Sequence, residues 1–315
     1  MSGLNVTLGY FLAVVVFGAA FRTLFRKWPR LSVAAEFPAS FVLVACWLEV
    51  QTIKEVGEWA GGLGPDVTLT ILFLVLLTHG VICAGATGNP SLTLMNFLLL
   101  ETHTLPTLLA LAAQFLGAHL ALLGAGYYWA LELNDMHMIK NLMSRECSTA
   151  LRVSLVQGVI SECVCAFIFY LIYLSLKRRS ALIRVPLVAA VLTFFSHSAS
   201  DYTMAFLNPS LAYGLTFYCP GFTFTEYSVV YWLGPIFGKS NNIFVTYKHL
   251  IKKGFIFDNE AYVAYVAGNT DILFSGMTLA LLLYMGHIPR IFTKNLLYSQ
   301  KTRFRVPKGE GDKKK

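Results

Sequence analysis

GNPSLTL at residues 88–94 and LNPSLAY at residues 207–213 carry the same tetrapeptide in an otherwise oily chain. With eleven prolines in 315 residues and as many asparagines, only about 0.4 Asn-Pro pairs are expected by chance, so two in matching surroundings are a signal. Asparagine caps helix N-termini with its side-chain oxygen, and proline suits the first helical position. Each Asn-Pro therefore starts a helix. The segments that follow, SLTLMNFLLL and SLAYGLTFY, are long enough for half a membrane crossing and too short for a whole one.

The rest of the chain explains why half-crossings occur here. Hydrophobic residues make up 56% and charged residues 13%, with a mean hydropathy of +0.60. That excludes a soluble domain of this length and makes the chain an integral membrane protein. Apolar stretches of roughly the 20 residues that a spanning helix needs run over 4–25, 33–53, 68–87, 105–130, 153–176 and 185–207. A seventh is broken into 227–238 and 277–286. Between these pieces lies KSNNIFVTYKHLIKKGFIFDNE, polar and basic, within residues 239–276. Removing that segment fuses the pieces into one run of roughly 22 residues, the length of a span. Its flanking Gly-Lys-Ser and Phe-Ser-Gly can be encoded by splice donor and acceptor signals. The segment reads as translated intron or a mispredicted exon; the other reading is a genuine insertion, with the span rebuilt from 261–286.

Lysine and arginine mark the cytoplasmic ends of spans. Arg22, Arg26, Lys27 and Arg30, then Lys177, Arg178, Arg179 and Arg184, and finally the basic tail 299–315 all fall on one side. The loops 51–67 and 131–152 mix acids with few bases and face the lumen or exterior. The net charge of +8 is thus topology, and no nucleic-acid partner is called for. Met1–Leu8 carries no charge ahead of its apolar run, so the first stretch reads as an uncleaved anchor. The sequon Asn5-Val6-Thr7 lies against the membrane and reads as unmodified.

Beyond the anchor, 1–31, the chain divides into two similar halves, 32–130 and 153–298, joined by 131–152. One opens on AAEFPASFVLVACW around Glu36 and the other on ISECVCAFIFYLIYL around Glu162. Each has its Asn-Pro-Ser-Leu after the second span and a close-packing signature in the third, AQFLGA and YWLGPIFG. An odd number of spans per half inserts the second half upside down, an inverted repeat that places its site near the bilayer midplane. The two half-helices then enter from opposite faces, with Asn89 and Asn208 where their positive N-termini meet. Each asparagine amide is free to aim a donor at a cavity, where two donors and two dipole ends orient water and oppose cations.

These features resemble the aquaporin, or major intrinsic protein, family, over about residues 32–298. Within it they resemble the unorthodox superaquaporin subfamily of the aquaporin-12 type, from the extra N-terminal segment, THGVICAGATGNPS, ELNDMH at 132–137, Cys219 eleven residues after Asn208, and FTKNLLYSQKTRFRVPKG in the tail. The resemblance implies an all-α inverted repeat of six spans plus two pore half-helices and the extra N-terminal segment. It implies a pore lined by Asn89, Pro90, Ser91, Asn208, Pro209, Ser210 and Leu211, with Glu36 and Glu162 supporting the loops. It further implies a homotetramer with one pore per subunit, in intracellular membranes such as the endoplasmic reticulum or vesicles.

Three departures bear on selectivity. Ser91 and Ser210 stand where alanine is usual, and Leu211 stands where the family places its filter arginine. No Lys or Arg occurs from Asp201 to Val230, so the outer constriction is expected to be wide and weakly polar. The filter histidine position falls on Ser196, with His197 one residue off.

Cys163-x-Cys165 is ill-spaced for a metal on a helix, and no phosphate loop, ligand cluster or nucleophile motif occurs. No cofactor, no metal and no enzymatic activity are expected. Cys147 and Cys219 share the non-cytoplasmic side, which allows a disulfide that their spacing does not support. Two functions stay open: a passive channel for water and small neutral solutes such as glycerol or hydrogen peroxide, and a poorly conducting structural or regulatory membrane protein.

Overall fold

A computed structural model describes residues 3–26, 33–60, 63–83, 85–143, 147–236 and 276–284. The chain runs through α1 (Gly3–Arg26), α2 (Glu36–Ala60), α3 (Pro65–Ile82), α4 (Pro90–Leu98), α5 (Thr104–Trp129) and α6 (Asp135–Leu142). It continues through α7 (Leu155–Leu176), α8 (Ala181–Ser198), α9 (Pro209–Thr216), α10 (Phe224–Ser228), a π-turn (Val229–Leu233), α11 (Gly234–Ile236) and α12 (Gly276–Tyr284). Among the described residues, six helices are long and apolar enough to cross a membrane, from Leu4–Phe25 to Ala181–Ser198. The bundle is an all-α membrane fold.

The anchor stretch is a helix laid antiparallel along α2. Thr7 donates to Glu49 Oε1 at 2.9 Å, Tyr10 donates to the Ala45 carbonyl at 3.2 Å, and the Phe17 and Phe41 rings lie 4.9 Å apart. The sequon's threonine is therefore fully buried, its hydroxyl committed to a carboxylate.

Close approach of helices is bought by glycine at the two places the repeat marks. A Cβ on Gly117 would lie 2.4 Å from the Phe37 carbonyl oxygen, so α5 crosses the backbone of α2 beside Glu36. A Cβ on Gly234 would lie 3.2 Å from the Glu162 side chain, so α11 meets α7 at its own acid. After α9, α10, the π-turn and α11 follow one another over 224–236, and α12 packs against both α7 and α11. The inserted segment and the tail, residues 239–275 and 299–315, lie outside the described residues.

One expected span is shorter than read. The stretch 185–207 is helical only to Ser198, and Ala199–Leu207 forms turns in which Met204, Ala205 and Leu207 take positive φ of 62°, 44° and 52°. Non-glycine residues pay roughly 1–2 kcal/mol each for that conformation, and apolar composition alone gives no sign of it.

Between the halves, α6 is pinned to the far end of α2. His137 Nε2 donates to Glu49 Oε1 at 2.8 Å, Trp129 Nε1 donates to Glu49 Oε2 at 3.1 Å, and Lys140 pairs with Glu55. Beyond α6, Cys147 and Cys219 are joined in a disulfide, which settles the alternative that spacing left open. It ties the connecting loop to the residues just past α9.

Candidate functional site

The two Asn-Pro starts meet in space. Asn89 caps α4 by accepting from Ser91 N at 2.9 Å. Asn208 caps α9, accepting from Ser210 N at 3.1 Å and Leu211 N at 3.3 Å. Each amide nitrogen then reaches across to the other loop: Asn89 Nδ2 donates to the Leu207 carbonyl at 3.2 Å and Asn208 Nδ2 to the Gly88 carbonyl at 3.0 Å. One of the two hydrogens of each amide therefore fastens the opposite half, a tie that the sequence did not announce, and the other is left for the cavity. Residues 88 and 207, which supply those carbonyls, hold matching positive φ of 57° and 52°.

The carboxylates serve both loops at the same register. Glu36 accepts from Thr87 N at 3.0 Å, Gly88 N at 2.9 Å and Gln114 Nε2 at 2.7 Å. Glu162, fully buried, accepts from Phe206 N at 3.2 Å and Leu207 N at 3.3 Å. Each acid therefore takes the backbone N–H groups one and two residues before its asparagine, which in an apolar interior would otherwise be costly orphans.

A cavity of about 320 Å³ opens beside this junction, with Asn89, Asn208 and Leu211 in its wall. Pro90, Ser91, Pro209 and Ser210 do not line it. They are buried behind it, where Ser210 Oγ accepts from Ser40 Oγ at 3.2 Å and donates to Asn208 Oδ1 at 2.9 Å. Ser196 is buried without lining the cavity, and His197 faces outward.

The remaining wall is what sequence reading missed. Val185, Val188, Ala189 and Leu192 lie on one stripe of α8, while Leu76, His79, Gly80 and Cys83 do so at the end of α3. Spacings of three and four were visible in both, but a uniformly apolar helix hides which face meets a cavity. Beyond the asparagines the wall consists of Trp47, Phe206 and Leu211, with the Trp47 and Phe206 rings edge to face at 6.1 Å. Where an arginine was missing, the wall is aromatic and aliphatic. His79 Nε2 donates to the Ala39 carbonyl at 3.0 Å, which leaves Nδ1 as an acceptor. Among the described residues no group of three or more His, Cys, Asp or Glu side chains could hold a metal ion.

Comparison with known proteins agrees with this architecture. Residues 26–245 match the family model described as major intrinsic protein. The chain is 38% identical to Aquaporin-12 of Mus musculus across 98% of its own length and 95% of that protein's. It is 31% identical to Aquaporin-11 of Homo sapiens across 74% of its length and 85% of the relative's. Two capped half-helices meeting at paired asparagines inside an inverted bundle, together with these matches, make the chain a multi-pass membrane protein of the major intrinsic protein, or aquaporin, family of channels.

Proposed function

We propose that the chain is a passive channel for water and small neutral solutes, glycerol and hydrogen peroxide among them, with Asn89 and Asn208 as its midplane donors. The observation that carries this reading is the shared cavity wall: both asparagines line it, and each has a second amide hydrogen beyond the one given to the opposite loop. A solute oxygen at that point would receive two fixed donors between two positive helix ends. Ser210 acts from behind, its hydroxyl bonded to the capping Asn208, Ser91 is packed at the matching position of the other half-helix, and Glu36 and Glu162 hold the loops. As the family resemblance implies, four copies assemble with one pore each, in an intracellular membrane. Residues 239–276 are read as an insertion that interrupts the sixth span.

A second reading, a poorly conducting protein of structural or regulatory role, draws support from the bulky apolar side chains of Trp47, Phe206 and Leu211 in the cavity wall, where a filter arginine is absent. Stopped-flow shrinkage of proteoliposomes separates the two. The channel reading expects water permeability well above empty vesicles, falling to the empty-vesicle level in Asn89→Asp and Asn208→Asp, because a carboxylate removes a donor and attracts cations. Size-exclusion elution shows that each variant is folded. Wild-type flux equal to empty vesicles selects the second reading; unchanged flux in a folded variant removes the asparagines from the path.

A further inference from the structure

The cavity wall contains one full charge, and it is not where the family keeps its own. Of the described residues lining the cavity, Arg184 alone carries a fixed charge, and no carboxylate lines it at all. Its place follows from helix geometry. Arg184, Val188 and Leu192 form one stripe of α8, about 12 Å long at 1.5 Å per residue. Asn96, also in the wall, lies about 10 Å along α4 from its cap Asn89. Tyr173 lies near the end of α7, next to the basic cluster at 177–184. Arg184, Asn96 and Tyr173 therefore mark one end of the cavity, the basic end, while Leu211, Trp47 and Phe206 mark the other.

The nearby charges leave Arg184 uncompensated. Lys177 is neutralised by Glu101, whose two carboxylate oxygens each lie 2.6 Å from its Nζ, and it also donates to Asn96 Oδ1 at 3.3 Å. Glu36 is occupied by Thr87, Gly88 and Gln114. Arg184 Nη1 donates to the Lys177 carbonyl at 3.3 Å, which fixes the guanidinium without cancelling its charge, and among the described residues no carboxylate pairs with it. Arg22, which donates to the Val81 carbonyl at 3.0 Å close to Cys83, is outside the lining and is present in every variant compared, so it drops out of the comparison. A positive charge in the wall of a low-dielectric passage repels cations strongly.

We propose that Arg184 is the charge-selecting residue of this cavity, turning cations away at the basic end while neutral and anionic solutes approach, in place of the cation that is absent at Leu211. This rests on the channel reading, since it assigns selectivity to the same path.

Cys83, a free thiol in the same wall, provides the probe. The full-length protein in lipid nanodiscs is treated with methanethiosulfonate reagents carrying a sulfonate or a trimethylammonium group, and modification of the Cys83 peptide is timed by mass spectrometry. Any change in thiolate fraction affects both reagents alike and cancels in the ratio of their rates. The wild type is expected to favour the anionic reagent, with that ratio falling by on the order of a hundredfold in Arg184→Gln, because one charge roughly 10 Å away at an effective dielectric near 20 acts on the two reagents with opposite sign. Arg184→Lys should keep most of the preference. An unchanged ratio in Arg184→Gln overturns the assignment while leaving the channel standing. If neutral methyl methanethiosulfonate also fails to reach Cys83, the cavity is no solute path, and both readings fall together.

Discussion

The two halves of the molecule build the same junction from different materials. In the first, Gly88 supplies the positive φ before the asparagine, and Glu36 collects donors from backbone, threonine and glutamine. In the second, Leu207 takes the same φ and Glu162, in full burial, meets two backbone N–H groups and the Thr203 side chain, with no glutamine donor among the described residues. The second arrangement is affordable because Leu207 is 1% exposed: burying a leucine is worth about 1.5–3 kcal/mol, against roughly 1–2 kcal/mol for the left-handed backbone. At residue 88 the trade is closed, since a Cβ there would lie 3.0 Å from the Ala39 backbone. Geometry at the junction is thus common to both halves, and the chemistry that supports it is local to each.

The contrast is sharpest at the outer ends of the half-helices. Just past α9, Cys219 is bonded covalently to Cys147, 72 residues earlier. At α4 the tie is ionic, Lys177 to Glu101 and Asn96, with Glu101 47% exposed. Closing a loop of that length constrains the unfolded chain by about 2–4 kcal/mol, whereas an exposed ion pair contributes about 0.2–1 kcal/mol. Cys147→Ser should therefore lower the thermal unfolding midpoint in detergent by several degrees, and Lys177→Ala should barely move it. Comparable shifts would mean that the covalent tie is redundant and that the halves are held alike.

The helix crossings rank next. Gly117 faces a backbone carbonyl at 2.4 Å, which cannot retreat without moving α2, while Gly234 faces a side-chain atom at 3.2 Å. Gly117→Ala is expected to cost about 1–3 kcal/mol, the range for overpacking, and to reduce flux because α2 carries Glu36. Gly234→Ala should cost less than half as much. Unfolding midpoints of the two variants decide, and a larger loss at Gly234 would reverse the ranking.

How much of this was readable in advance follows from how local each signal is. Asn-Pro announces a helix start within two residues, so both half-helices and their caps were legible. So were the two crossings, because AQFLGA and YWLGPIFG place a small residue in a bulky helix. The Cys147–Cys219 bond joins residues too far apart for spacing to speak. Glu49 passed unnoticed near the end of a span, and its partners His137, Trp129 and Thr7 come from three other elements. Arg184 was counted among the basic residues read as setting orientation, and only packing places it in the cavity wall. The strain at Met204, Ala205 and Leu207 has no signature at all, because alanine and leucine announce helix.

Ala205 offers the smallest effect and a test of whether that strain is stored. At φ 44° and 2% exposure, it presents a methyl group small enough for its removal to leave packing nearly intact. Ala205→Gly relieves roughly 1–2 kcal/mol of left-handed strain. Against this stand about 0.5–1 kcal/mol of extra unfolded-state entropy and about 0.8 kcal/mol for the lost methyl burial. The terms nearly cancel, so the unfolding midpoint should shift by no more than a degree or two, and flux should hold because Phe206 and Leu207 keep their bonds to Glu162. The same change from alanine to glycine at Ala212, buried within α9, relieves no strain and should cost the full helix penalty of about 1 kcal/mol on top of the methyl. Equal losses at the two sites would show that the second loop holds its backbone without stored strain, and that its difference from the first is one of packing alone.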